Sequence, residues 1–196
     1  MVKKVLLSIV AVLSISAIAI VAIAATKPDH FSFERKAIVK APPERVYPLI
    51  SNFQEWQRWS PWEKLDPKMK RDYSGPDAGV GAVYAWDGNG DAGQGKMTIT
   101  QAAAPNQVKL NLDFIKPFEA SNQVTFDIAP LNEKETQITW KMEGESQLFP
   151  CKVVSVFCSM NDMCGKDFDA GLASIKAISE KQEVAAQQQD VEPKQQ

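Results

Sequence analysis

Histidine is almost missing from this chain of 196 residues: there is one, His30. That scarcity excludes histidine triads, histidine metal sites and histidine acid–base chemistry from most of the molecule. Cysteine is also rare. Cys151, Cys158 and Cys164 are odd in number and crowd into one short stretch. Their C-x6-C-x5-C spacing matches no common zinc pattern, which leaves buried small hydrophobes or one disulfide in an oxidising compartment. An excess of either charge is absent too. With 22 basic against 24 acidic residues the net charge is −2, and no basic stripe supports nucleic-acid binding. Nothing in the residues calls for a cofactor or a metal. Asp87-x-Asn89-x-Asp91 imitates the start of a calcium loop, but Ala92 and Thr98 stand where the loop needs glycine and glutamate, so a Gly-rich turn is expected there. Gly75, Gly79 and Gly81 lack the following helix and Lys-Ser/Thr of a phosphate loop and read as turn and bulge residues.

Long apolar runs are absent with a single exception, and that exception organises the chain. Val5 to Ala25 is uncharged, built of Val, Leu, Ile, Ala and three serines. As a helix it spans about 31 Å, the thickness of a hydrocarbon core. Lys3 and Lys4 precede it, which predicts a cytoplasmic N-terminus and a domain emerging on the outer side of a single-pass anchor over residues 1–26. The alternative is secretion after cleavage at Ala22-Ile23-Ala24. The run is longer than a usual signal core, which favours the anchor.

The remainder divides into a domain over residues 27–181 and a Gln-rich tail over residues 182–196, expected to be disordered. Phe31 to Lys40 reads as a strand. Ala41-Pro42-Pro43 ends it and starts a short helix with Val46, Leu49 and Ile50 on one face. A second helical turn holds Phe53, Trp56 and Trp59. The period then changes to two. Tyr84 and Trp86, Met97 and Ile99, Val108 to Phe114, Val124 to Ile128, and Ile138 to Met142 alternate with polar residues. Such alternation marks antiparallel strands with one buried face. Finally Met160, Cys164, Phe168, Leu172 and Ile175 recur at helical spacing over about Ser159–Glu183. Only this helix is long enough to cover the sheet. The fold class is therefore α+β: a curved antiparallel sheet of about six to seven strands around one long C-terminal helix, preceded by one transmembrane helix.

This order and its local sequences resemble the START-like superfamily (Bet v 1-like, SRPBCC), in its polyketide cyclase/dehydrase-type branch with an N-terminal membrane segment. The resemblance rests on Ile38 to Tyr47, Trp56-x-x-Trp59-Ser60-Pro61-Trp62, Leu65 to Met69, Tyr73-Ser74-Gly75, Gly79 to Gly88 and Gly165 to Leu172. It implies the helix-grip fold and a cavity for hydrophobic molecules such as lipids, sterols or polyketides, and a minority of such proteins are enzymes.

Trp56, Trp59 and Trp62 recur every third residue, as an aromatic lip over a cavity or as core. Tyr84, Trp86, Phe114, Phe126 and Trp140 lie on the apolar parity of their strands and Phe168 on the helix stripe; they line a cavity or fill a core. Arg35 shares parity with Phe33 and Ala37, so it points inward, as a ligand anchor or in an ion pair. Glu34, Asp113 and Glu119 are the candidate acids. No catalytic set emerges. The expected function is a membrane-anchored, non-catalytic domain that holds a hydrophobic small molecule or lipid. A cyclase or hydratase, or a protein-interaction module, is the alternative.

Overall fold

The computed structural model describes residues 2–145, 152–153, 156–157 and 159–191. Helix α1, Val2–Thr26, carries the apolar run. It is, among the described residues, the one helix long and apolar enough to cross a membrane, as an anchor or a signal sequence would. Leu13, Ile15 and Ile18 on it are exposed. Lys27-Pro28-Asp29 then leads into β1, His30–Val39.

After β1 come α2, Pro43–Ser51, and α3, Trp56–Trp59, with single 3-10 turns at Phe53–Glu55 and Pro61–Lys64. Pro43 occupies the first turn of α2, where its missing N–H removes no helix bond. Val46, Leu49 and Ile50 face inward. Six strands follow: β2 Lys70–Ser74, β3 Val83–Asp87, β4 Gln94–Ala103, β5 Gln107–Lys116, β6 Ala120–Asn132 and β7 Glu135–Glu145. The sheet is antiparallel, ordered β1-β7-β6-β5-β4-β3-β2, so the first strand returns to pair with the last.

Register puts the alternating residues in rows across one face. Arg35 opposes Trp140, Trp140 opposes Phe126, and Phe126 opposes Val108. The next row runs Phe33, Met142, Val124, Leu110 and Ile99. Directly opposed residues share a face, so the second row is a continuous apolar strip and the first is apolar beyond Arg35 at its β1 edge. Edge strand β2 shows no such alternation, because its inward positions are Arg71 and Tyr73 rather than aliphatic residues.

Helix α4, Met160–Val191, lies against this face. Phe168, Leu172, Ile175 and Ser179 are buried on it and Cys164 is half-buried. Cys164 is a free thiol; burial, with Asp167 nearby, pushes its pKa up. Cys151, Cys158 and the side chain of Met160 lie outside the described residues.

The end of α4 departs from expectation. Residues 182–191, read as a disordered tail, continue the helix. Glu183 pairs with Arg45 of α2 at 3.5 Å, a tertiary contact that no local apolar period announces.

Gly171 brings α4 close to the sheet. A Cβ there would stand 2.8 Å from Cζ3 of Trp140 and 3.5 Å from Cδ of Pro61. Both neighbours are rings held by packing, so neither yields easily. Gly171→Leu is expected to destabilise the domain by about 1–3 kcal/mol or more, read as a lowered melting midpoint. Gly75 meets a different need. Its φ is +77° and its Cβ position is occupied by the Gly81 carbonyl. A side chain there would be both strained and obstructed.

Candidate functional site

The space between sheet and α4 is filled by aromatic rings that touch one another. Trp140 of β7 is central. It stacks on Phe168 of α4 at 4.0 Å between centroids and on Phe126 of β6 at 4.8 Å. Trp59 and Trp62 present edges to it at 5.5 and 5.8 Å. Phe126 continues to Trp56, Trp56 to Phe53, and Phe53 to Tyr84. Tyr84 reaches Trp86, and Trp86 reaches Phe114. One chain of ring contacts thus joins Phe33, which packs on Phe168 at 4.8 Å, to Phe114 on β5. Nine of the residues proposed from sequence for the cavity belong to it: Trp56, Trp59, Trp62, Tyr84, Trp86, Phe114, Phe126, Trp140 and Phe168.

Burial separates them. Trp56, Trp59, Tyr84, Phe126, Trp140 and Phe168 are buried, whereas Trp62, Trp86 and Phe114 are half-buried. A lip would be exposed, so Trp56 and Trp59 serve as core. Trp62, on the 3-10 turn, sits where a lip would.

The indole N–H groups differ as well. Trp56 donates to the Ile50 carbonyl at 3.0 Å, Trp59 to Leu49 at 2.8 Å and Trp86 to Ala92 at 3.0 Å. Trp140 is 2% exposed, and its Nε1 has no acceptor among the described residues. An unmet buried donor costs about 1–3 kcal/mol, so this position carries a penalty that a bound oxygen would remove.

Arg35 faces inward as its parity requires, but its guanidinium is engaged. Nη1 donates to Asn161 Oδ1 at 2.6 Å and to the Glu34 carbonyl at 3.0 Å, and Nε lies 3.3 Å from Asp169. Gly165 leaves it room, because a Cβ there would overlap the guanidinium. Arg35 fastens the first turns of α4 to β1.

A polar group lies farther along the sheet. Glu63 is 7% exposed at its side chain. Its Oε2 accepts from Arg71 Nε at 2.7 Å and its Oε1 from the Tyr84 hydroxyl at 2.5 Å. Tyr73 stacks on Tyr84 at 4.9 Å and accepts from Gln57 at 2.9 Å. Burial, and donation to Glu63, push the Tyr84 hydroxyl pKa far above the ordinary phenol range. Tyr84 therefore stays protonated and remains a donor.

The family model for polyketide cyclase/dehydrase and lipid transport proteins matches residues 30–180. The chain belongs to this family. No curated protein matches it significantly in sequence. Among solved structures it is similar to a norcoclaurine synthase of Thalictrum flavum bound to a transition-state analogue, with 13% identity, TM-score 0.59, and coverage of 81% of this chain and 99% of that one. A protein of Thermobifida fusca gives 14% identity and TM-score 0.58, covering 76% and 93%. One of Chromobacterium violaceum gives 17% and 0.53, covering 79% and 99%. At these identities the likeness is one of fold.

In this polyketide cyclase/dehydrase and lipid transport family member, the carboxylates singled out from sequence lie at the surface. Glu34 pairs with Lys36 at 2.9 Å, Asp113 accepts from Ser121 at 2.5 Å, and Glu119 is exposed. The buried carboxylate is Glu63, which periodicity could not reveal because a single 3-10 turn has none. Its position directly after Trp62 was the available signal. Asn89, in the loop resembling a calcium site, turns its Oδ1 onto the amides of Asp91 and Ala92 at 2.9 and 3.0 Å, which is turn chemistry.

Proposed function

We propose that this domain binds a hydrophobic small molecule or lipid between the sheet and α4, with an oxygen of the ligand accepting from Trp140. The unpartnered indole N–H at the centre of the aromatic cluster carries this reading. An apolar wall with one placed polar group is how such sites hold and orient ligands. Membership of the polyketide cyclase/dehydrase and lipid transport family supports it. So does the fold shared with norcoclaurine synthase, a protein solved with small aromatic molecules. The rings touch one another here, and a surface pocket among Phe53, Tyr73 and Ala82 holds only about 110 Å³. Entry therefore requires the cluster to open. Half-buried Trp62, on a single turn, is the ring we assign to that movement. We further propose that α1 anchors the domain with its N-terminus cytoplasmic and the domain outside, rather than being cleaved before secretion.

Catalysis by a cyclase or hydratase would need an acid or base facing this space. Both oxygens of Glu63 are engaged, which suits a structural tie rather than a free base. We therefore read the domain as non-catalytic.

The test is extraction of the purified full chain with organic solvent and mass spectrometry of what is released. A bound apolar molecule carrying an oxygen is expected. Trp140→Phe keeps a ring but removes the donor. It should weaken rebinding of that molecule by about tenfold, matching one hydrogen bond of ~1–1.5 kcal/mol. An empty extract together with no uptake of a fluorescent fatty acid would reject the proposal.

A further inference from the structure

We infer that the end of the sheet next to the anchor is a second membrane contact, in which the β5–β6 turn enters the bilayer surface. This rests on reading α1 as an anchor. Sheet register gathers at that end the start of β1, the β5–β6 turn, the β3–β4 turn and the start of β2. His30 opposes Glu145, Phe114 opposes Ala120, Lys116 opposes Gln94, and Lys70 opposes Asp87. Lys152 ion-pairs with Asp29, which brings the segment before α4 to the same place.

The exposed apolar residues are distributed unevenly between the two ends. Among the described residues outside α1, the two most exposed large hydrophobics are Phe157 at 72% and Phe118 at 71%. Phe118 lies at the anchor end, with Ile115 and Leu65 also exposed there, and Phe157 follows five residues after Lys152, which Asp29 holds at that end. The opposite end exposes single aliphatic residues such as Leu131 near the end of β6. Phe118 sits on the β5–β6 turn and Phe157 in helical backbone before α4, and neither ring packs against the core of the domain. A partner must cover them if they are to contribute.

The tether decides which partner. Thr26 and His30 are four residues apart, so the start of β1 lies within about 14 Å of the helix end. Phe118 and Phe157 are thereby held beside the headgroups of the bilayer that takes α1. Exposed Lys116 next to Ile115, and Lys64 and Lys68 flanking Leu65, can spread their stems over apolar surface and keep their charges in the headgroups. Glu119 and Asp91 share this end, so it has no strongly basic field. Docking is driven by apolar burial and needs no anionic lipid. It would also set the first turns of α4, and the ligand space behind Arg35 and Phe168, toward the bilayer.

The experiment uses the full chain in phosphatidylcholine vesicles. Alkaline washing comes first, and release from the vesicles would overturn the anchor reading itself. For retained protein, an environment-sensitive fluorophore is attached at Phe118→Cys, with Leu131→Cys as the opposite-end control, in a chain whose native cysteines are serine. Quenching by doxyl-labelled phosphatidylcholine is expected to be at least threefold stronger at 118 than at 131. Retention with equal quenching would overturn the docking surface alone. A blue shift without quenching that grows with protein-to-lipid ratio would overturn it too, by showing that a second copy covers the patch. Hydrogen exchange on chains with native cysteines avoids dependence on the serine background. The amides of residues 115, 116, 118 and 119 should exchange about tenfold faster in Ile115→Ser/Phe118→Ser than in the unaltered chain, and equal rates would overturn the proposal.

Discussion

Trp140→Ala is expected to lower the stability of the domain by about 3–5 kcal/mol, the range for deleting a large packed aromatic ring. The ring is stacked on both faces, by Phe126 and Phe168, and met edge-on by Trp59 and Trp62. Its removal takes contacts from four aromatic neighbours at once. These belong to β6, α4, α3 and the 3-10 turn, so no single element can shift to fill the space. The loss is partly offset because the unmet indole donor disappears with the ring, which places the effect nearer the lower end of the range. For a domain of this size it should depress the melting midpoint by roughly ten degrees. A melting midpoint within one degree of the parent's would show that the ring is loosely held and that the space is open.

Ending the chain after Ser159 is expected to abolish cooperative folding. That deletion removes Phe168, Leu172 and Ile175, each buried against the sheet. Burying a large apolar side chain contributes about 1.5–3 kcal/mol, so the three together approach the ~5–15 kcal/mol total of a whole domain. The deletion also exposes their partners, Phe33 and Trp140, and leaves Arg35 without Asn161 and Asp169. Ending the chain after Gln182 should be far milder, because the one described tertiary tie lost is the partly exposed Arg45–Glu183 pair, a class of contact contributing about 0–1 kcal/mol. A soluble product of the shorter chain with a sharp thermal transition would contradict the role given to α4.

The contrast between strands β5 to β7 and strand β2 shows what pattern alone can reveal. Val108, Leu110, Phe126, Ile138 and Trp140 could be placed on the inner face from alternation, since side chains project with a period of two. In β2 the inward residues are Arg71 and Tyr73, and their partners are Glu63 on the preceding 3-10 turn and Tyr84 on the neighbouring strand. No strand period encodes a polar tie between a turn and two strands. The same holds at the end of α4, where composition suggested disorder and the observed helix carries a distant partner in Arg45. Among the site residues, parity correctly aimed Arg35 inward, but whether it would meet a ligand or a neighbour depended on Asn161 and Asp169, brought there by the docking of α4.

Sequence by itself therefore determined the apolar α1, the alternating strands, the apolar stripe of α4, and the helix-grip order that joins them. Each is written in short-range periodicity and in the few places where proline and glycine interrupt it. Only the tertiary structure decided that Trp56 and Trp59 are core, that Trp62 stands at its margin, and that Trp140 keeps an unmet donor. It alone also closed Glu63 onto Arg71 and Tyr84, and set Phe118 at the end of the sheet where β1 begins. Those facts are distances between elements that no local period relates. They arise when seven strands and a helix close on one another, and closure is a property of the packed whole rather than of any one segment.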